Sequence, residues 1–271
     1  MVVLAVMALI SSCGRDDDSP TASPTVSPTM PSASSPTASP RIKPLPISAA
    51  QMARLPTITT YATLRRAPED PDPFHVADGF LVHPTAKRVV YSRPGGPPLG
   101  VLPTTQLQDP TWVPVVQRLP GWDRILLPSR PNRSTGWIHT DDGGLRGVYS
   151  TYQVRVELAA RRLTVFDAER RLGSWPVAVG APGTPTPRGR TFLLASVTPG
   201  HQTYTPLFLA LGAHSGTLDT FAGGPATIAL HGWPDRSAFG QDVSYGCVRV
   251  PSAALDLLSR LPLGSPIMIT D

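Results

Sequence analysis

Residues Ile228 to Val250 read IALHGWPDRSAFGQDVSYGCVRV. The segment holds Cys247, one of 2 cysteines in the 271-residue chain, and His231, which follows the apolar run Ile228-Ala229-Leu230 directly. A thiol and an imidazole in one short segment, each with a glycine beside it, form a candidate nucleophile and base. Thiolate is the reactive form of cysteine, and a nearby imidazole takes the proton or stabilises the anion. Gly246 lets the backbone turn tightly before the cysteine, so the N–H groups of Tyr245, Gly246 and Cys247 can converge on a developing oxyanion. A lone cysteine is often just a small buried hydrophobe. The neighbouring Gly246 and Val248-Arg249, and the upstream His231, argue instead for a reactive one.

The same segment resembles the signature of the L,D-transpeptidase (YkuD-type) catalytic domain: a histidine, a spacer, then Ser/Thr-x-Gly-Cys-x-Arg. Here the pattern is His231-Gly232, a spacer, and Ser244-Tyr245-Gly246-Cys247-Val248-Arg249. A second feature of that family, a strand ending in Val-Gly followed by Thr-Pro-x-Gly, stands upstream as Val179-Gly180 and Thr186-Pro187-Arg188-Gly189. The resemblance extends over roughly residues 149–271. It implies acyl transfer from a peptidoglycan tetrapeptide stem to Cys247 as a thioester, with loss of D-alanine. Attack by an amine of a second stem then gives a 3→3 cross-link. It further implies His231 as base and later acid, the Gly232 carbonyl as its orienting group, and Ser244 as support for the cysteine loop. Arg249 holds a substrate carboxylate or braces the loop. Many members carry histidine where this chain has Tyr245; with His231 retained as the base, a backbone N–H at this position suffices. Water in place of the acceptor amine would make the protein an L,D-carboxypeptidase. A relic catalytic domain would leave a peptidoglycan-binding wall anchor.

The residues around this segment predict strands. Tyr152 to Leu158 alternates polar and apolar, as a half-buried strand does. Leu163 to Phe166, Trp175 to Gly180, Phe192 to Ala195 and Leu207 to Leu211 have strand character, and Arg170-Arg171-Leu172-Gly173 reads as a turn. Ser252 reads as the N-cap of a short helix ending near Leu261, with Ile267 to Thr270 as a closing strand. His201 and His214 read as loop residues without a catalytic role.

Upstream, short β-like pieces broken by Pro and Gly run to about Gly147 and suggest a small all-β barrel. The pieces from about Val89 to Thr140 resemble a bacterial SH3-type domain, which implies wall or peptide binding. Trp112, Trp122 and Trp137 read as core, and His75, His83 and His139 as isolated surface or structural histidines. Thr57 to Pro84 fits no element.

The first ten residues are apolar, too few to span a bilayer but enough for a signal peptide. Ile10-Ser11-Ser12-Cys13 resembles a bacterial lipobox, which implies lipidation of Cys13, although no basic residue precedes the apolar run. Ser19 to Pro46 is a Ser/Thr/Pro/Ala run with too little apolar surface to offset ordering entropy, so it reads as an extended linker. The expected division is 1–13 signal peptide, 14–48 linker, 49–147 SH3-like domain and 148–271 catalytic domain. The fold class is mainly β: a small SH3-like barrel followed by a YkuD-type domain with one or two short helices. The expected location is exported, lipid-anchored at the outer face of the cytoplasmic membrane and cell wall.

The formal charge is +5, with Lys43 and Lys87 the only lysines. The arginines, such as Arg54, Arg65, Arg66, Arg118, Arg161 and Arg162, are scattered rather than gathered in a stripe, which argues against a nucleic-acid partner. No cysteine or histidine cluster has metal-ligand spacing, so neither metal nor cofactor is expected. The expected partners are peptidoglycan stem peptides and, through Cys13, a membrane.

Overall fold

The computed structural model describes residues 41–200 and 203–271. The lipobox with Cys13, most of the linker and His201 lie outside them. The protein is mainly β, and the described residues belong to one compact unit, Ser39–Asp271.

Alternation in the sequence becomes alternation of burial. In the strand Tyr152–Glu157, Val154 and Val156 are buried while Arg155 and Glu157 face solvent. This strand pairs antiparallel with Arg162–Asp167 and parallel with Pro266–Thr270. The C-terminal sheet has 8 strands, in the order Arg170–Pro176, Arg162–Asp167, Tyr152–Glu157, Pro266–Thr270, Gly189–Val197, Phe208–His214, Thr227–Gly232 and Val248–Val250. The helix Ser252–Leu258 turns Ala254, Leu255 and Leu258 into the core of this sheet.

Three local readings need correction. Arg170 to Gly173 is not a turn but part of the strand Arg170–Pro176, and the chain reverses one step earlier, at Ala168-Glu169. Ala168 adopts φ 52° there, a left-handed conformation that its residue type does not advertise. Gly173 serves packing instead: a Cβ at that position would lie 2.1 Å from the Trp175 ring. The helix cap is Pro251 rather than Ser252, with no side-chain capping bond; the fixed φ of proline suits the entry geometry. His214 is not in a loop but ends a strand, fully buried.

The N-terminal residues form a sheet of 7 strands in the order Pro98–Leu102, Arg88–Tyr91, Thr135–His139, Trp122–Leu126, Val113–Leu119, Phe80–Pro84 and Leu145–Tyr149. Trp122 and Trp137 are buried beside Tyr91, while Trp112 is half-buried against His83. Part of the stretch that fits no pattern in the sequence supplies the Phe80–Pro84 strand. The rest, near Ile58, runs alongside the sheet through isolated bridges at Thr57, Thr63 and Glu69. The Leu145–Tyr149 strand crosses residues 147 and 148, so the second sheet starts beyond it, at Tyr152.

The two sheets share a core. In the strand Gly189–Val197, Leu193 joins the C-terminal core, while Phe192, Leu194 and Ala195 pack with Val82, Val113 and Leu126 of the N-terminal sheet. Burial on both faces is why the middle of this strand, Phe192 to Ala195, is a continuous apolar run. Across the same junction, Arg190 forms a buried bidentate pair with Asp70, both N···O distances being 2.6 Å, and donates to the His75 carbonyl at 3.0 Å.

Candidate active site

Cys247 precedes the short strand Val248–Val250, which pairs in parallel with Thr227–Gly232. Leu230 stands opposite Val248 and His231 opposite Arg249. This register brings the cysteine loop alongside the strand that carries the histidine. Cys247 and His231 open into one cleft of about 390 Å³, lined also by Tyr204, Phe208, Trp233 and Arg249.

The cysteine loop is held from within and from below. Gly246 has φ +113°, a conformation open to glycine, and a Cβ there would press to 3.0 Å from Ile228 Cδ1. Ser244 Oγ donates to the Cys247 carbonyl and accepts the Gly246 N–H at 3.1 Å. That bond occupies one of the three N–H groups expected at an oxyanion hole, which leaves those of Tyr245 and Cys247 as candidates. Below, Thr184 Oγ1 donates to the Ser244 carbonyl and Thr186 Oγ1 to the Gly246 carbonyl, each at 2.9 Å. Thr186 Oγ1 also accepts the Gly180 N–H at 2.9 Å. The Val-Gly and Thr-Pro-x-Gly motif, remote in sequence, is therefore the floor of the cysteine loop.

Gly180 has no room for a side chain, since a Cβ would lie 2.3 Å from the Thr184 carbonyl oxygen and 2.4 Å from the Thr186 nitrogen. Gly180→Ala is expected to cost about 1–3 kcal/mol of stability in denaturant unfolding, as overpacking does. The acylation rate of Cys247 should fall with it, because both threonine braces must shift.

His231 is buried, and its Nδ1 lies 2.9 Å from the Gly232 carbonyl. A carbonyl only accepts, so the proton sits on Nδ1 and Nε2 keeps its lone pair. The Gly232 N–H in turn donates to Thr205 Oγ1 at 2.9 Å. The rings of Phe208, Tyr204 and Trp233 surround the imidazole at 5.3, 5.4 and 6.2 Å between centroids. Burial among them lowers the His231 pKa below its ordinary value; the Gly232 bond opposes this and Arg249 adds to it. Burial raises the Cys247 pKa, against the lowering effects of the Ala229 backbone and the Arg249 charge. Both shifts favour the uncharged forms, a neutral thiol and a neutral imidazole.

Arg249 stacks its guanidinium 3.6 Å from the Trp233 ring centroid, and its buried Nε has no hydrogen-bond partner within the protein. Tyr245 is exposed at the rim, its ring 5.6 Å from that of Phe221. His75, His83 and His139 lie away from the cleft lining; His75 bonds Asp72, His83 bonds the Thr111 carbonyl, and His139 Nδ1 lies 2.9 Å from Asp142. Sequence reading missed Tyr204, Thr205, Phe208 and Trp233. Trp233 stands two residues beyond His231, and that proximity was the one local signal available.

Residues 151–269 match the YkuD family, described as the L,D-transpeptidase catalytic domain. The match spans the C-terminal sheet and the whole cysteine loop, and supports a YkuD-type catalytic domain at these residues. Over 153 residues the chain is 29% identical to "Putative L,D-transpeptidase YkuD" of Bacillus licheniformis, covering 54% of this chain and 86% of that one. Similar solved structures include an L,D-transpeptidase from Mycobacterium smegmatis, with 20% identity, a TM-score of 0.37, and coverage of 52% of this chain and 75% of that one. Another is L,D-transpeptidase 3 from Mycobacterium tuberculosis in complex with a faropenem-derived adduct, with 13% identity, a TM-score of 0.38, and coverage of 52% and 75%.

Proposed function

We propose that the protein is a peptidoglycan L,D-transpeptidase that forms 3→3 cross-links between stem peptides through a thioester on Cys247. The observation that carries this reading is one cleft lined by a half-buried thiol and by an imidazole whose Nδ1–H is fixed on the Gly232 carbonyl. His231 Nε2 takes the Cys247 proton as the sulfur attacks the donor carbonyl between an L-centre and a D-centre. The N–H groups of Tyr245 and Cys247 face the oxyanion. Collapse breaks the peptide bond, and the leaving D-alanine amine takes the proton from His231. The side-chain amine of a second stem then attacks the thioester, loses its proton to His231, and releases the Cys247 thiol. Arg249 lines the cleft, and its guanidinium is the group to receive a substrate carboxylate.

Intact-mass measurement after incubation with a disaccharide-tetrapeptide, or with a carbapenem as a strained acyl donor, tests the reading. A covalent adduct with release of D-alanine supports it, and dimer in the product mixture identifies transfer to an amine. Tripeptide as the sole product would make the protein an L,D-carboxypeptidase. Neither adduct nor D-alanine would leave the wall-anchor reading.

The location rests on the chain before the sheets. We propose that the protein is exported and anchored by a lipid on Cys13, with the Ser/Thr/Pro run lifting an SH3-like N-terminal module and the catalytic domain toward the wall. In a bacterial host with lipoprotein processing, radiolabelled palmitate should enter the wild-type protein and not Cys13→Ala. An unlabelled wild type would overturn the anchor.

A further inference from the structure

One wall of the cleft comes from the loop joining the strands Phe208–His214 and Thr227–Gly232, through Phe221, Ala222 and Ala226. Within itself this loop is thinly tied. The Ser215 N–H closes its base on the Ala226 carbonyl at 2.9 Å, Phe221 and Gly224 exchange backbone bonds at the tip, and Ser215 Oγ caps the first turn. Apart from the contact of Phe221 with Tyr245, its ties to the rest of the protein are hydrogen bonds from the N-terminal half of the chain.

Arg130 lies between the strands Trp122–Leu126 and Thr135–His139 of that sheet. Its Nη1 donates to the Ser215 carbonyl at 3.0 Å, and its Nη2 to the Leu218 and Pro225 carbonyls at 3.0 and 2.8 Å. Ser215 and Leu218 are on the outgoing arm of the loop and Pro225 on the returning arm, so one guanidinium joins both. Asn132 brackets the preceding residue, accepting the His214 N–H at 2.8 Å and donating to the His214 carbonyl at 2.7 Å. Thr60 ties both ends: its carbonyl accepts from His214 Nε2 at 2.7 Å, and its hydroxyl bonds that of Thr227, which lines the cleft.

We propose that Arg130, seconded by Asn132 and Thr60, is a positioning residue for the substrate cleft, and that the N-terminal sheet is part of the machinery that shapes the site. A loop with few internal bonds samples many arrangements, and a substrate that needs one of them binds more weakly by the fraction populated. The fork suits arginine in particular. Its planar donors reach carbonyls on two arms at fixed angles, which the single ammonium of lysine does not reproduce. Phe221 and Ala222 face the cleft, whereas the Cys247 and His231 braces belong to other segments. The clamp therefore acts on substrate binding more than on the chemical step.

The test uses the full chain with Arg130→Ala and Arg130→Lys. Hydrogen exchange followed by mass spectrometry should show amides of residues 215–226 exchanging roughly tenfold or more faster in Arg130→Ala, as expected for loss of charged hydrogen bonds. Amides in the strand Ile228 to Gly232 should be unchanged. The kinetic arm rests on the transpeptidase reading: KM for the donor stem should rise roughly tenfold, with kcat within a few-fold. Millimolar methylguanidine should restore Arg130→Ala toward wild type, while Arg130→Lys should restore little. Unchanged loop exchange in Arg130→Ala, or equal losses of exchange protection throughout both sheets without guanidinium rescue, would overturn the proposal. If the wild type turns over no stem peptide while the exchange result holds, the clamp stands and the transpeptidase reading falls.

Discussion

Cys247→Ala is expected to form no adduct with a tetrapeptide donor or a carbapenem and to lose at least about 10⁴-fold in turnover. The magnitude follows from the role: without sulfur there is no acyl-enzyme, and what remains is whatever the oriented donors contribute to direct attack by water or amine. The fold should survive. The cysteine loop is held by Ser244, Thr184 and Thr186 through backbone groups that alanine retains. Equal melting curves for the two proteins, alongside loss of the mass shift, would separate loss of the nucleophile from loss of structure. An adduct retained in Cys247→Ala would refute the assignment of the nucleophile.

His231→Gln is expected to lower acylation by about 10²–10⁴-fold at neutral pH, the usual contribution of a positioned general base. The pH profile makes the prediction sharper. Burial depresses the His231 pKa below its ordinary value of 6.5 and raises that of Cys247 above its ordinary value of 9.0. Catalysis by a neutral imidazole and a neutral thiol needs His231 unprotonated. The acid limb of wild-type kcat/KM should therefore fall below pH 6.5, and the profile should stay level beyond pH 9. In His231→Gln the acid limb should vanish and the rate should climb with pH, as hydroxide replaces the imidazole in removing the thiol proton. Alkylation of wild-type Cys247 by iodoacetamide, followed by mass, should likewise be slow at neutral pH. Rapid alkylation at pH 6 would mean a preformed thiolate–imidazolium pair and would overturn the general-base account.

Much of the site was legible because its chemistry is concentrated in short segments. Cys247, Gly246 and Ser244 lie within four residues of one another, and His231 stands at the end of an apolar run that becomes a buried strand. The Val-Gly and Thr-Pro-x-Gly motif was visible as letters, but not its purpose. Only the parallel pairing of Val179–Gly180 with Asp242–Ser244 shows Thr184 and Thr186 under the cysteine loop. The same holds for the oxyanion donors. Three consecutive N–H groups are equivalent in sequence, and the rotamer of Ser244 removes one of them.

The sequence by itself determined the β character of the second sheet, its short amphipathic helix, and the candidate nucleophile and base, since periodicity and residue chemistry are local properties. Tertiary structure decided what depends on distant partners. The reversal at Ala168-Glu169 is set by the pairing of Arg162–Asp167 with Arg170–Pro176, and no glycine or asparagine marks it. The aromatic walls around His231 come from separate segments, with Phe208 brought opposite the histidine by strand register. Arg130 is one of many scattered arginines until folding sets its guanidinium among the carbonyls of Ser215, Leu218 and Pro225. A carbonyl belongs to every residue and carries no letter of its own. A side chain whose partners are backbone groups some ninety positions away therefore leaves no pattern in the sequence, and only the packed sheets reveal it.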